Sequence, residues 1–441
     1  MTTEPTGLDD RSMRELDEFL RIRSISSDGK HPQELRQAAE WVRSLLGDGA
    51  TISEDHGNPV VDGLIPASGG TDAPTVVAYG HYDVQSPGPE SLWESPAFEP
   101  EVRDGWLYAR GASDDKGNFY TLLRAALDLA AAGELGVNVR VIADGEEEVG
   151  GHSVIDYLAG VSDRFAAAVI FDGGMASADV PAITNALRGL VGFQLRLVTN
   201  AKELHSGLYG GVVANPVNDL IAVLGAVIGK EDELAAGCAP VTESERAGWD
   251  ILPAGEALLR DAGGTPADDR AADEFYERTW ARPSLTVHSI GAGDPLLHKT
   301  SVASEARASL SLRLAPGQDP DALFDELERR LRAALPSHAQ LELDRWPPGQ
   351  PAYMSPDDPV MHAAQRAIEQ ATGVAPVTMR SGGTIPIMAA LIARGTPTIL
   401  SGFGTSEDNI HSPNERIRLR NLAWGLASAR EIYRELAGTL G

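Results

Sequence analysis

Four strand-like runs of this chain, spread between residues 75 and 404, each lead into a side chain that can bind a metal. T-V-V-A-Y-G ends on His81, V-N-V-R-V-I-A-D-G leads to Glu147 and Glu148, A-A-A-V-I-F precedes Asp172, and P-T-I-L-S-G-F-G runs on toward His411. In an open α/β sheet, ligands bind in the crevice outside the carboxyl ends of the strands. Residues remote in the chain are therefore expected to converge on one edge of one sheet.

The surrounding pattern fits such a sheet. Gln33 to Leu46 has apolar residues at helical spacing and stops at Gly47, and Lys116 to Ala132 reads as a long helix ending at Gly133. Between and after these helices, the runs 75–79, 137–143 and 166–171 are β-rich or apolar. Strands alternating with helices imply a mostly parallel sheet covered on both faces. Between about Leu187 and Pro348 the order changes to strand, helix, strand, strand, helix, strand, with the helices opened by Asn215-Pro216 and Asp319-Pro320. Asn or Asp before Pro supplies an N-cap and a first-turn residue. The order itself is the split βαβ, ferredoxin-like arrangement. From Tyr353 the α/β pattern returns, with helices near 357–371 and 420–437. The expected architecture is an α/β domain of residues 1–186 and 349–441, interrupted by an α+β insert of residues 187–348. The polar, Gly-rich stretch from Cys238 to Asp273 is read as a long excursion of the insert.

Composition narrows the partners. A chain of 441 residues exceeds one ordinary core. A net charge of -27, from 37 basic and 64 acidic residues, argues against nucleic-acid or anionic-membrane partners, which need clustered Lys and Arg. The single cysteine, Cys238, leaves no internal disulfide, thiolate cluster or Cys-x-x-Cys pair, which points to a reducing cytoplasm. The first residues, M-T-T-E-P-T-G-L-D-D-R, hold no apolar leader, and no run of about 18 apolar residues is present to span a bilayer. The expectation is a cytoplasmic protein.

The chemistry lies in short motifs. In H-Y-D, residues 81 and 83 project to one side of an extended segment, so Asp83 can orient the His81 ring, as metal-binding imidazoles require. Taken alone, these residues read more simply as a strand-end His and a turn Asp. G-A-S-D-D-K-G places Asp114 and Asp115 between glycines ahead of a helix; they fit an N-cap pair, and Asp114 can also offer two oxygens to two metals. In D-G-E-E-E-V-G, like charges repel unless a cation or water takes them up. One Glu can ligate while a neighbour removes a proton from water. Asp172 before Gly173-Gly174 and His411 in E-D-N-I-H-S-P-N-E are ordinary loop residues singly. Together at strand ends, two imidazoles and several carboxylates suit Zn, Mn or Co rather than an all-oxygen Mg or Ca site. There is no G-x-S-x-G elbow and no G-x-x-x-x-G-K-[ST] loop, and G-A-G-D at 291–294 lacks the strand-to-helix setting of a dinucleotide site.

Taken together, these motifs resemble the dinuclear metallopeptidase family of carnosinases, cytosolic non-specific dipeptidases, carboxypeptidase G, acetylornithine deacetylase and succinyl-diaminopimelate desuccinylase. The likeness spans nearly the whole chain and is strongest with the dipeptidases, through H-Y-D-V-Q, W-x-S-x-x-F-E-P, R-G-A-S-D-D-K-G, L-H-S-G-L-Y-G-G, S-G-G-T-I-P and I-H-S-P-N-E. Two departures stand out: Thr384 replaces the Ser of the animal dipeptidases, and V-V-A-N-P-V-N-D follows L-Y-G-G in place of a more acidic segment.

The resemblance implies a zinc-peptidase-like catalytic domain with an inserted lid and dimerisation domain. It implies that His81 and Asp172 hold one divalent metal, that Glu148 and His411 hold a second, and that Asp114 bridges them, with a cis peptide bond after Asp114. Zinc is the first expectation for both, with manganese or cobalt as alternatives. Glu147 is then the general base and Asp83 the acid beside His81. His205 is expected to reach into the site of a neighbouring subunit in a homodimer, and Thr300, Arg313 and Thr384 to grip the substrate. Arg313 also suits a carboxylate by its fork geometry, whereas His205 reads equally as a packing residue. The implied activity is hydrolysis of small dipeptides. The alternatives are an N-acyl-amino-acid deacylase or carboxypeptidase using the same machinery and, in another class, a non-catalytic metal-binding protein.

Overall fold

The computed structural model describes residues 7–70, 72–293 and 299–441. Residues 1–6, part of the segment read for a leader, and Asp294 of G-A-G-D lie outside the described residues. No described helix is long and apolar enough to cross a membrane.

The four runs that lead to candidate ligands become four neighbouring strands. Asn138–Asp144, Thr75–His81, Ala167–Ile170 and Thr398–Leu400 lie side by side in that order, every pairing between them parallel. They form the centre of a nine-stranded mixed sheet. Outside them the pairing turns antiparallel, through Val60–Ile65 and Thr51–Ser53 at one edge and Ala182–Leu187 and Ala352–Tyr353 at the other. Val377–Ser381 adds a further parallel pairing on Ala182–Leu187. Central strands in such a sheet are covered on both faces, and Val76 to His81 are all buried.

The helix Lys116–Ala132 covers this centre and stops at Gly133, whose φ of 75° is the left-handed cap that glycine adopts without strain. Its approach to the sheet is close: a Cβ on Gly80 would sit 2.3 Å from the Phe119 ring. Leu419–Leu440 and Pro359–Thr372 cover more of the same core, with Ile432, Tyr433, Ile368 and Ala364 fully buried.

A second sheet of four antiparallel strands has the order Ser284–Gly291, Glu305–Leu314, Gly189–Val198, Gln340–Arg345. Two intervening helices, Pro216–Leu224 and Pro320–Ala333, complete the split βαβ arrangement. Both open as their Asn-Pro and Asp-Pro pairs suggest, with Asn215 accepting the Val217 N–H and Asp319 that of Ala322. Burial alternates strictly along Ala306 to Leu314, one face on a separate core with Phe193, Leu220 and Leu327.

The excursion does not stay with the insert's sheet. Its helix Glu243–Trp249 reaches the strand Val377–Ser381 of the large sheet, where Glu245 pairs with Arg380.

Candidate metal centre

Because the four central strands are parallel and adjacent, their carboxyl ends open on one edge, and the side chains beyond them meet there. His81 Nε2 lies 3.0 Å from Asp114 Oδ1 and 3.8 Å from Asp172 Oδ1. His411 Nε2 lies 2.8 Å from Asp114 Oδ2 and 3.2 Å from Glu148 Oε2. Potential ligand atoms thus form two groups, His81 with Asp114 and Asp172, and Asp114 with Glu148 and His411, each spanning no more than 4.8 Å. Asp114 belongs to both, one oxygen facing each imidazole.

Local backbone features present these side chains. The peptide bond between Asp114 and Asp115 is cis. Gly117 is required behind it, since a Cβ there would lie 2.0 Å from the Ala112 carbonyl oxygen. His411 has a φ of 59°, a left-handed conformation that non-glycine residues seldom adopt and that is often retained at functional sites.

His81 is oriented from behind, where its Nδ1 lies 3.0 Å from the Asp83 carbonyl oxygen and 3.4 Å from the Asp83 carboxylate. That contact leaves Nε2 directed at Asp114 and Asp172, the division of roles that a metal-binding imidazole needs.

The electrostatics of the cluster call for positive charge. Burial opposes a charged His81, yet the hydrogen bonds its ring donates to Asp114, Asp172 and Asp83 push its pKa well above the ordinary value. His411 is raised to about 10, chiefly by Asp114 and Glu148. Burial raises Asp114, but the two histidines outweigh it and hold that carboxyl below its usual range. Asp172 and Asp115 are pushed up by burial. Glu147 rises to about 8, first from burial and then from the neighbouring Asp172 charge. A cluster that binds protons this avidly is held together by them, and a cation can take their place.

Arg313 and Thr384 meet at the junction between the two sheets: the guanidinium Nη1 is 3.5 Å from the Thr384 hydroxyl, which donates to the Arg188 carbonyl at 2.6 Å. Arg188 is buried and lowered to about 10, by desolvation and then by Arg313. Among the described residues neither guanidinium has a carboxylate partner, and the Arg188 side chain donates to the Thr279 carbonyl and the Ser284 hydroxyl. His205 and Thr300 lie elsewhere, on the ribbon Leu204–His205 paired with Ser301–Val302, where Ser206 donates twice to the Thr300 carbonyl. His205 is exposed, and within one chain no hydrogen bond or ion pair among the described residues joins it to the cluster.

Three further residues belong to the site without being expected there from sequence, Asp115 reading only as half of an N-cap pair, a cap its side chain does not make. Glu415 and Arg110 form a buried ion pair at 2.6 Å directly behind the Asp114 loop, where burial pushes the Glu415 carboxyl up against the pull of Arg110. Asp115 accepts the His81 backbone N–H at 3.2 Å. All three stand inside the motifs R-G-A-S-D-D-K-G and I-H-S-P-N-E, where Asp115 adjoins Asp114 and Arg110 and Glu415 each stand four residues from a candidate ligand.

The chain belongs to the peptidase family M20/M25/M40, whose profile matches residues 77–435. It is 28% identical over 426 residues to the cysteinylglycine-S-conjugate dipeptidase of Corynebacterium striatum, covering 92% of this chain and 91% of that protein. It is likewise 28% identical to the Beta-Ala-His dipeptidase of Mus musculus, over 96% and 93% of the two chains. Among solved structures, the M20 family metallo-carboxypeptidase Sso-CP2 from Sulfolobus solfataricus superposes with a TM-score of 0.82 at 27% identity, over 98% of this chain and 100% of that one. The di-peptidase Dug1p from Saccharomyces cerevisiae gives 0.71 at 26% identity, over 97% and 96%.

Proposed function

We propose that the protein is a metal-dependent dipeptidase that hydrolyses the amide bond of small dipeptides at a pair of divalent cations. His81 and Asp172 would hold one ion and Glu148 and His411 the other, with Asp114 between them. The observation that carries this reading is the split of the Asp114 carboxylate, 3.0 Å from His81 on one oxygen and 2.8 Å from His411 on the other. Two imidazoles and three carboxylates suit zinc first, then manganese or cobalt.

Bound there, the cations would supply Lewis acidity, lowering the pKa of a water molecule and polarising the scissile carbonyl. Positive charge beside Glu147 lowers its carboxyl from about 8, so that it is ionised and can remove the proton of that water. The deprotonated water oxygen adds to the scissile carbonyl carbon, and Glu147 returns the proton to the leaving amine nitrogen as the C–N bond breaks. Asp83 keeps His81 in the tautomer that presents Nε2 to the site. Arg313 and Thr384 take the substrate's free carboxylate, which suits two guanidiniums left without an acid, and Thr300 contacts its backbone.

In this reading residues 1–186 and 349–441 are the catalytic domain and 187–348 the lid and dimerisation domain, supported by their separate hydrophobic cores. A homodimer would bring the partner subunit's His205 to the carbonyl oxygen, where it helps to stabilise the developing oxyanion. Leu208 and Val212, close to His205 in the chain, are 74% and 81% exposed, a surface that a second copy would cover. The lone Cys238 fits a reducing cytoplasm.

A carboxypeptidase reading has its own support in the superposition on Sso-CP2. One experiment separates the two. Metal-stripped protein reloaded with zinc, manganese or cobalt is assayed on unmodified dipeptides, N-acetyl and N-carbamoyl amino acids, and longer peptides. Metal-restored hydrolysis that favours dipeptides is expected, and a preference for blocked or longer substrates overturns the dipeptidase assignment.

A further inference from the structure

We propose that Glu415 is a positioning residue, the buried carboxylate that sets the loop of Asp114 and the loop of His411 in register so that both can ligate. The inference rests on reading the cluster as a two-metal centre. Glu415 lies at the end of the I-H-S-P-N-E segment, just ahead of the strand Arg416–Arg418, and is shielded from water. Its Oε1 accepts the backbone N–H groups of Ser113 and Asp114, each at 3.0 Å. Its Oε2 accepts the Gly111 N–H at 3.0 Å and the Arg110 guanidinium at 2.6 Å. The backbone nitrogen of the shared ligand is thus tied to a side chain from the His411 segment.

Arg110 extends the link. Its Nη2 donates to the carbonyls of Ser86 and Ser412, each at 3.3 Å, so one ion pair gathers the segment that follows His81, the loop that carries Asp114 and the residue after His411. The separation of Asp114 from His411 follows from how these loops are placed relative to each other. Four donors converge on two oxygens, and only an ionised carboxylate accepts at both without presenting a donor of its own. A glutamine cannot replace it, because either orientation of its amide turns NH2 toward two of the four donors. The side chain faces the backbone of the loop and not the reacting atoms, so its effect on chemistry passes through Asp114.

The test is Glu415→Gln, compared with wild type in three measurements: titration of the metal-free protein with Zn2+, melting of the metal-free protein, and kcat and KM on a dipeptide at saturating metal. Groups that orient metal ligands typically govern affinity by about 10- to 100-fold. Zn2+ binding weakened by that factor is expected in a variant that still folds, with kcat reduced and KM little changed because Arg313 and Thr384 are untouched. Wild-type affinity and kcat, or a loss of activity that merely tracks the unfolded fraction, overturns the proposal. If Glu415→Gln does not fold, Glu415→Asp keeps the charge but draws it back by one methylene. A Zn2+ affinity weaker than that of wild type is then expected, and wild-type affinity again overturns the inference. A wild-type protein that takes up no cation sinks the two-metal reading itself. Wild type binding two ions with Glu415→Gln binding them equally well sinks only the role of Glu415.

Discussion

Asp83 holds Glu147 through the backbone: one oxygen of its buried carboxylate accepts the Glu147 N–H at 3.2 Å, while the other accepts that of Glu148, also at 3.2 Å. Ser26 donates to the same carboxylate at 2.6 Å. The acid behind His81 therefore also fixes the turn that carries the proposed base and a proposed ligand. In Asp83→Asn the amide nitrogen faces one of these N–H groups and leaves it without an acceptor. Zinc affinity is expected to fall about 10- to 100-fold and kcat with it. Parallel metal titration and steady-state kinetics check this, and unchanged affinity removes Asp83 from the site.

Glu147→Gln separates the base from the ligands. Loss of a general base typically costs about 10²- to 10⁴-fold in rate. The variant is expected to keep two metals per chain by elemental analysis and to lose kcat by that order. Retained hydrolysis with intact metal content would end the assignment. The metal-free variant is also expected to melt no lower than wild type at pH 8, since the carboxyl it removes is disfavoured by burial.

Metal binding is expected to expel protons. His411 is raised from 6.5 to about 10 and Glu147 from 4.5 to about 8 in the metal-free protein. A folded-state pKa above the ordinary one stabilises fully below the ordinary value and is lost as pH climbs through the raised one. The metal-free protein should therefore lose stability between about pH 4.5 and 10, most steeply from about 6.5 to 8, where both groups contribute. Metal affinity should rise over the same window, because a ligating imidazole must shed its proton. Calorimetric titrations at pH 7 in buffers of differing ionisation enthalpy should register proton release, and no dependence on buffer would contradict the assignment of His81 and His411 as ligands.

His81, Glu148, Asp172 and His411 were legible because each follows an apolar run long enough to show its period, and a run of that kind fixes where a strand ends; Asp114 was legible only from its Gly-flanked motif ahead of a helix. Their adjacency was not legible, since no periodicity states that Asn138–Asp144 lies next to Thr75–His81. Glu415 and Arg110 stand 305 residues apart and each reads as a polar loop residue; only the folded chain shows that both are buried. The short hairpin Glu101–Arg103 with Trp106–Tyr108 and its neighbour Arg416–Arg418 escaped because three-residue strands carry no usable alternation. The excursion from Cys238 was read from its polar composition, whereas its placement depends on Glu245 meeting Arg380 from the other side of the insert.

That pair offers a direct measure of how firmly the excursion is held. Arg380 Nε lies 2.8 Å from Glu245 Oε1 with both side chains inaccessible, and Arg380 also donates to the carbonyls of Ala239 and Pro240. Removing one member of a buried pair leaves the other charge uncompensated, at a cost of about 3–5 kcal/mol. Glu245→Ala is expected to lower the free energy of unfolding by an amount of that order, with a lower denaturation midpoint, and to expose the 239–250 segment to proteolysis. A midpoint at the wild-type value would mean that the segment contributes little to the fold.

The proposed dimer makes a prediction that no single-chain mechanism shares. His205→Ala should lower kcat, because the oxyanion loses one donor, while leaving metal content unchanged. Glu147→Gln is inactive for a different reason, within its own subunit. In a mixed dimer, the His205→Ala subunit keeps Glu147 and receives the partner subunit's His205, so one of its two sites is complete. Random re-association of equal amounts yields half hybrids, each with one working site, and activity should return to about a quarter of the wild-type level. Unfolding and refolding the two variants together, then assaying against each refolded alone, makes the measurement. Recovery supports a His205 shared across the interface, and a mixture no more active than the average of its components means that each site is built from one chain.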